Sequence, residues 1–383
     1  MKTRCVALFL TIFLQIAGLF ANEPVWQCKP GPWGDLEVHV VYLQAPDNIL
    51  SVVSKPNSVT HWVFEQMSVP GVKSLLGRVG VPELVVNHLF REGRVVNSGN
   101  NIVLYPELDD LVALTPEVRS ALYLELAKFS ENEYQRDPIF IFGNDTDDWL
   151  DGCPLNPAQI ELFKKLLWKR GTVTVFSDIQ ALLTLAKSSD DVLNVFRVVT
   201  RVRSLIVELK LPLKGDTKEF LDYWTAGQKD QPRFAFVTAV IKRRAPQSVD
   251  ITHFLPVMMR ERIYTFPALD AGIKGRFPDC HWTSLNFFSR NPKDYFLDTR
   301  LAATFLMENY NPIEPPYRYG DILCFLDGGE GLHTCVYIAD DIVFTKNGDG
   351  VLAPWVLMQI KDVDSIYRRS SSTRIQGYRN RSR

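Results

Sequence analysis

Two residues distant in the chain have the types and settings of a nucleophile and its base. Cys280 follows Asp279 at the head of Asp279-Cys280-His281-Trp282-Thr283-Ser284-Leu285-Asn286-Phe287-Phe288. Asp is a capping residue, and Trp282, Leu285 and Phe288 recur at helical spacing, so a helix is expected to begin at Cys280. A thiol in a first helical turn sits among backbone N–H groups without helical partners, and the positive end of the helix favours its thiolate. His333 opens the apolar strand His333-Thr334-Cys335-Val336-Tyr337-Ile338. An imidazole placed there can take the thiol proton and return it to a leaving group. His281 is excluded as the base because adjacent residues on a helix point in different directions. His39, His61, His88 and His253 fall in the preceding region or at its edge.

A third group should orient the imidazole. Ala339-Asp340-Asp341 reads as a tight turn between Tyr337-Ile338 and Ile342-Val343, which brings Asn347 opposite His333 and makes Thr345 its diagonal neighbour. The expected roles are Cys280 as nucleophile, His333 as base then acid, and Asn347 as the hydrogen-bond acceptor that fixes the tautomer. Asn347 also precedes Gly348, so a turn residue is the competing reading.

These residues need a helix and an antiparallel sheet to carry them. Gly320-Asp321-Ile322-Leu323-Cys324-Phe325 supplies another strand of that sheet. Upstream, Glu37–Leu43 alternates as a strand, helices are expected at Val59–Met67 and Pro82–Phe90, and Ile102–Tyr105 is strand-like. Thr115-Pro116-Glu117 starts a helix. Asn156-Pro157 opens another, with Ile160, Phe163, Leu166 and Leu167 as its stripe and Gly171 as its stop. Strands and helices then mix without strict alternation, so the class is α+β. The basic cluster before Pro246 marks the expected boundary between a 22–245 region and a 246–366 domain. Residues 367–383, rich in Arg and Ser and without an acid, are expected to form a flexible basic tail.

The composition excludes several classes. Formal net charge is -1 over 383 residues, so no global field points to nucleic acid or a membrane surface. Lys2 and Arg4 precede the apolar run Cys5–Phe20, which ends at Ala21, the pattern of a secretory signal peptide over residues 1–21. The expected location is secreted or periplasmic, with no transmembrane segment in the mature chain. Without Cys5, Cys28, Cys153, Cys280, Cys324 and Cys335 remain, an odd set for an exported chain. If Cys324 paired with Cys335 and Cys28 with Cys153, Cys280 would be the free thiol. There is no CxxC pair and hence no zinc-type spacing, and no cofactor is expected.

Asp279-Cys280, Tyr319-Gly320-Asp321-Ile322-Leu323 and His333-Thr334-Cys335-Val336-Tyr337-Ile338 together resemble the NlpC-type cell-wall cysteine peptidases over roughly the last third of the chain. The resemblance implies a small papain-like domain, with a Cys-bearing helix packed on an antiparallel sheet, acting on a peptidoglycan-type stem peptide. It places Tyr264 where that family has a Tyr lining the site. The family's Ser-Gly after the Cys is here His281-Trp282, which puts Trp282 at the pocket entrance, and the third position lies between Thr345 and Asn347. Two other readings stay open: a catalytically silent binding or scaffold protein on the same fold, and a Cys-dependent acyl transferase or esterase.

Overall fold

The computed structural model describes residues 26–53, 59–143, 146–227, 233–272 and 276–382. The expected signal peptide lies outside them. The molecule is α+β, and its strands form four sheets in which neighbours run antiparallel.

The first sheet joins β1 (Trp26–Gln27), β2 (Leu36–Leu43), β9 (Val202–Leu211) and β10 (Gln247–Asp250) in that order. Between β2 and β9 the chain builds two three-stranded sheets, β3 (Trp62–Phe64) with β4 (Val95–Ser98) and β5 (Asn101–Leu104), then β6 (Ile139–Ile141) with β7 (Trp168–Arg170) and β8 (Val173–Phe176). Helices such as Pro116–Leu126 and Pro157–Lys165 cover them. The second of these has a reciprocal capping box between Asn156 and Gln159. Its apolar stripe stops earlier than the sequence suggested: the chain leaves the helix at Leu166 so that Trp168 can enter a hairpin, and Gly171, at φ 63°, makes the hairpin turn. The helix expected at Val59–Met67 is instead the short strand β3, because Trp62, Val63 and Phe64 are all buried between neighbours. Most buried apolar side chains from Trp62 to Val199 form one hydrophobic cluster, Phe142 being an exception that packs on the C-terminal sheet.

The C-terminal sheet has six strands, ordered β11 (Tyr310–Ile313), β16 (Arg374–Asn380), β12 (Ile322–Asp327), β13 (Glu330–Ala339), β14 (Ile342–Lys346) and β15 (Trp355–Gln359). On one face Val336, Ile338, Phe344 and Leu357 pack with Trp282 and Phe287 of the Cys280 segment and with Leu205 and Val207 of β9. On the other, Phe325, Cys335, Tyr337, Val343 and Met358 pack with Val363 and Phe142.

Two further expectations fail. The boundary at Pro246 falls inside a continuous body, since β10 pairs with β9 and one cluster contains residues from both sides of it. The basic segment 367–383 is not a free tail: β16 is an interior strand, and Arg379 forms a two-pronged ion pair with buried Asp321, Nε to Oδ1 at 2.9 Å and Nη2 to Oδ2 at 2.6 Å. No helix among the described residues is long and apolar enough to cross a membrane.

Candidate functional site around Cys280

Cys280 is the first residue of the helix Cys280–Leu285, and the Asp279 carboxylate accepts from the Trp282 backbone N–H at 2.7 Å. The cap predicted from the sequence is therefore in place. The thiol is 8% exposed. All five cysteines of the described chain are free. Cys324 and Cys335 cannot pair, because the register sets Cys324 against Thr334 and Cys335 against Leu323, so their side chains leave opposite faces of the sheet.

The helix lies on the face of Thr334 and Val336. His281 Nδ1 is 3.2 Å from Thr334 Oγ1, and the Trp355 indole donates to Thr283 Oγ1 at 3.1 Å. Burial holds the His281 imidazole below its ordinary pKa, opposed by Asp279. Burial, and then the nearby Cys280, push the Cys324 thiol up to about 12. Burial, and then Cys280, raise Cys335 and Tyr367 in the same way.

His333 is fully buried and belongs to the other face. Its ring stacks on Tyr367 at 4.0 Å between centroids, and Phe325 lies 5.9 Å away. The predicted strand geometry around it is present. Val336 pairs with Phe344 and Tyr337 with Val343, a register that carries Asn347 opposite His333. His333 Nε2 is 2.8 Å from Thr345 Oγ1, whose hydroxyl donates to Asn347 Oδ1 at 3.3 Å. A hydroxyl whose single proton is committed to Asn347 must accept from Nε2–H, which leaves the neutral imidazole with a bare lone pair on Nδ1. That nitrogen has no partner. Asn347 also donates its amide to Met358 Sδ at 2.9 Å.

The structure thus brings His333, Thr345 and Asn347 together, with Thr345 as the direct contact. It does not bring His333 to Cys280: no hydrogen bond among the described residues joins them, and alternation along β13 turns His333 away from the face on which the Cys280 helix lies. Tyr264 and Trp282 also differ from expectation. Tyr264, at φ 62°, donates its hydroxyl to the Leu205 carbonyl at 2.7 Å and ties the body together rather than lining a pocket. Trp282 is 2% exposed and sits in the core under the Arg262 guanidinium, not at an entrance.

Two residues that sequence reasoning passed over belong to this centre. Tyr367, assigned to the tail, ends the helix Ile360–Tyr367 and stacks on His333. Lys346, read only as the end of a strand, is fully buried. A lysine closing the apolar run Ile342-Val343-Phe344-Thr345 was the available signal. Beyond Asn347 and Tyr367 a cavity of about 640 Å³ opens between the sheet and the 44–201 segment, with Phe140, Phe142, Arg203 and Met358 in its wall. No family model matches this chain, and no curated protein or solved structure matches it.

Proposed function

We propose that this protein is an exported cysteine hydrolase that cleaves an amide or ester through a thioester on Cys280, with a cell-wall stem peptide as the substrate that the NlpC-type resemblance suggests. One observation carries the reading: Cys280 stands in a capped first helical turn whose next residues rest on Thr334 and Trp355 of the sheet, with the buried polar residue Lys346 near Cys280 and the apolar Val336 and Phe344 beside them. Chemistry on a buried thiol needs such a polar spot to hold charge as it develops. The Cys280 backbone N–H would contribute to holding the oxyanion. His333, Thr345, Asn347 and Tyr367 form a separate group on the opposite face of the sheet.

A second reading, a silent binding protein on the same fold, is favoured by the orientation of His333 away from the Cys280 helix. Iodoacetamide labelling with peptide mapping, run beside hydrolysis of a γ-linked muropeptide, separates the two. The hydrolase reading expects Cys280 to label faster than an unfolded cysteine at neutral pH and Cys280→Ala to abolish turnover. A thiol that labels no faster than in the unfolded chain sinks it. Fast labelling with turnover of a simple ester but not of the muropeptide leaves the nucleophile and removes the peptide substrate.

A further inference from the structure

The sheet under the Cys280 helix carries a row of cross-strand neighbours. Cys324 pairs with Thr334, and Lys346 pairs with Trp355. The register of Val336 with Phe344, continued two residues, brings Thr334 opposite Lys346. Cys324, Thr334, Lys346 and Trp355 therefore follow one another across four strands on one face. The first turn of the Cys280 helix touches two members of this row, Thr334 through His281 and Trp355 through Thr283. Lys346 lies between those two. On a helix, residue 280 projects between the directions of 281 and 283, which sets Cys280 over the stretch of the row that holds Lys346 and within reach of its charge.

Lys346 is an unusual group to find there. It is fully buried, yet its ammonium has no carboxylate partner among the described residues. It donates to the Gly348 carbonyl at 2.9 Å and the Gly350 carbonyl at 3.2 Å, with the Trp355 ring 5.6 Å away. A buried ammonium without a counter-ion is costly, and a thiolate is an anion that would offset the cost.

We infer that Lys346 is the proton partner of Cys280, taking the thiol proton before attack and returning it to the leaving group. This inference rests on the hydrolase reading and names the base that reading requires. Lys346 Nζ accepts the proton from Sγ, leaving a thiolate and an ammonium. The thiolate attacks the carbonyl carbon, a C–S bond forms, and the π pair moves to oxygen. On collapse the bond to the leaving nitrogen or oxygen breaks, and that atom takes the Lys346 proton. Water then adds to the thioester carbonyl with its proton passing to Lys346, the C–S bond breaks, and the carboxylic acid product leaves a thiolate behind. Burial pulls the Lys346 amine down to about 8, against Asp349, Asp279 and Cys280, so it exchanges protons near neutral pH. The other titratable groups around the pair are His281, Cys324, Cys335 and Tyr367, and each of the last three is held towards its protonated form.

The test is the pH dependence of Cys280 alkylation in the full-length mature protein. With Lys346 as partner, Lys346→Met should move the midpoint of the rate–pH curve up by about one unit or more and slow alkylation at neutral pH roughly tenfold. Lys346→Arg should keep the low midpoint, because the charge remains, but lose hydrolysis, because a guanidinium does not give up its proton. His333→Ala should leave the midpoint where it was. An unchanged curve in folded Lys346→Met, or one that moves only in His333→Ala, overturns the inference while leaving Cys280 as the nucleophile. Absence of fast alkylation in the wild type would instead remove the hydrolase reading itself. If Lys346→Met fails to fold, the ¹³Cε titration of Lys346 in wild-type protein decides: blocking Cys280 should lower the Lys346 midpoint, and no change overturns the pairing.

Discussion

At the scale of single residues the chain contains another buried charge whose effect has a definite sign. Asp178 is 1% exposed, accepts from the Tyr123 hydroxyl at 2.7 Å through Oδ1, and leaves Oδ2 without a partner. Burial pushes its carboxyl up to about 6, against the Tyr123 hydrogen bond and Arg119, which lower it. An unfolded Asp titrates near 3.9, at roughly two units less, so the folded state holds this proton more tightly. The contribution to stability is full below the unfolded pKa and is lost as pH rises through the window between the two, by about 2–3 kcal/mol. Asp178→Asn keeps an acceptor for Tyr123 and removes the charge. Urea unfolding should show it at least as stable as the wild type at neutral pH, with a flatter profile between about pH 4 and 6; a loss of stability persisting in that window would assign it to another group. Legibility at this scale was uneven. The cap at Asp279 and the register of His333 with Asn347 could be read because each depends on neighbouring residues or one short turn. The direction of His333 relative to the helix, and the place of Lys346 under it, depend on which face of the sheet the helix covers, and no local pattern encodes that.

At the scale of elements the instructive case is β16. Its sequence, Arg374-Ile375-Gln376-Gly377-Tyr378-Arg379-Asn380, has few apolar residues and follows a Ser run, which is why it reads as a tail. It is nevertheless an interior strand. Interior strands are usually apolar runs, and this one offsets its polarity with specific partners. Arg379 pairs with Asp321, and Gly377 gives close approach, since a Cβ there would meet Tyr317 at 2.5 Å and the Ile313 carbonyl oxygen at 3.1 Å. Removing one member of a charge pair whose acid is buried strands the other, so Arg379→Ala should cost about 2 kcal/mol or more. Arg381, whose guanidinium reaches exposed acceptors on Asn311 and Met307, is the control and should cost well under half of that. Equal urea midpoints for the two variants would mean that backbone pairing alone holds β16 in place.

At the scale of the whole molecule the chain is not divided at Pro246 but nested. β2 and β9 are partners from Leu36–Leu209 to Leu43–Val202, so the chain leaves this sheet at Leu43 and returns to it at Val202. All buried members of the first cluster fall between Trp62 and Val199, and all those of the second fall outside that span. The 44–201 segment is therefore an insertion with its own core. The body has another core, closed by contacts between distant residues, such as the Tyr223 hydroxyl on the Ile338 carbonyl at 2.6 Å and Ser204 Oγ with the Leu357 backbone N–H at 3.2 Å. Sequence composition could not reveal this, because no Pro- or Gly-rich linker marks either junction and the basic cluster near Pro246 is only a surface turn. The nesting predicts which dissection works. Paired Cα atoms across an antiparallel ladder lie about 4.5–5.5 Å apart, so a short Gly-Ser link from Leu43 to Val202 closes the body without strain. A chain lacking 44–201 should keep near-UV circular dichroism and one cooperative urea transition. It loses the junction contacts, chiefly the Tyr42 hydroxyl on Asp148 at 2.7 Å, the Tyr42 ring against Trp149 at 5.3 Å between centroids and the packing of Phe142, and so should be less stable than the parent. A fragment beginning at Pro246 should not fold, because Trp355 and Leu357 then lose Leu205 and Val207 beneath them. If the Pro246 fragment folds cooperatively and the chain lacking 44–201 does not, the body is divided where the basic cluster stands and the insertion is part of its core.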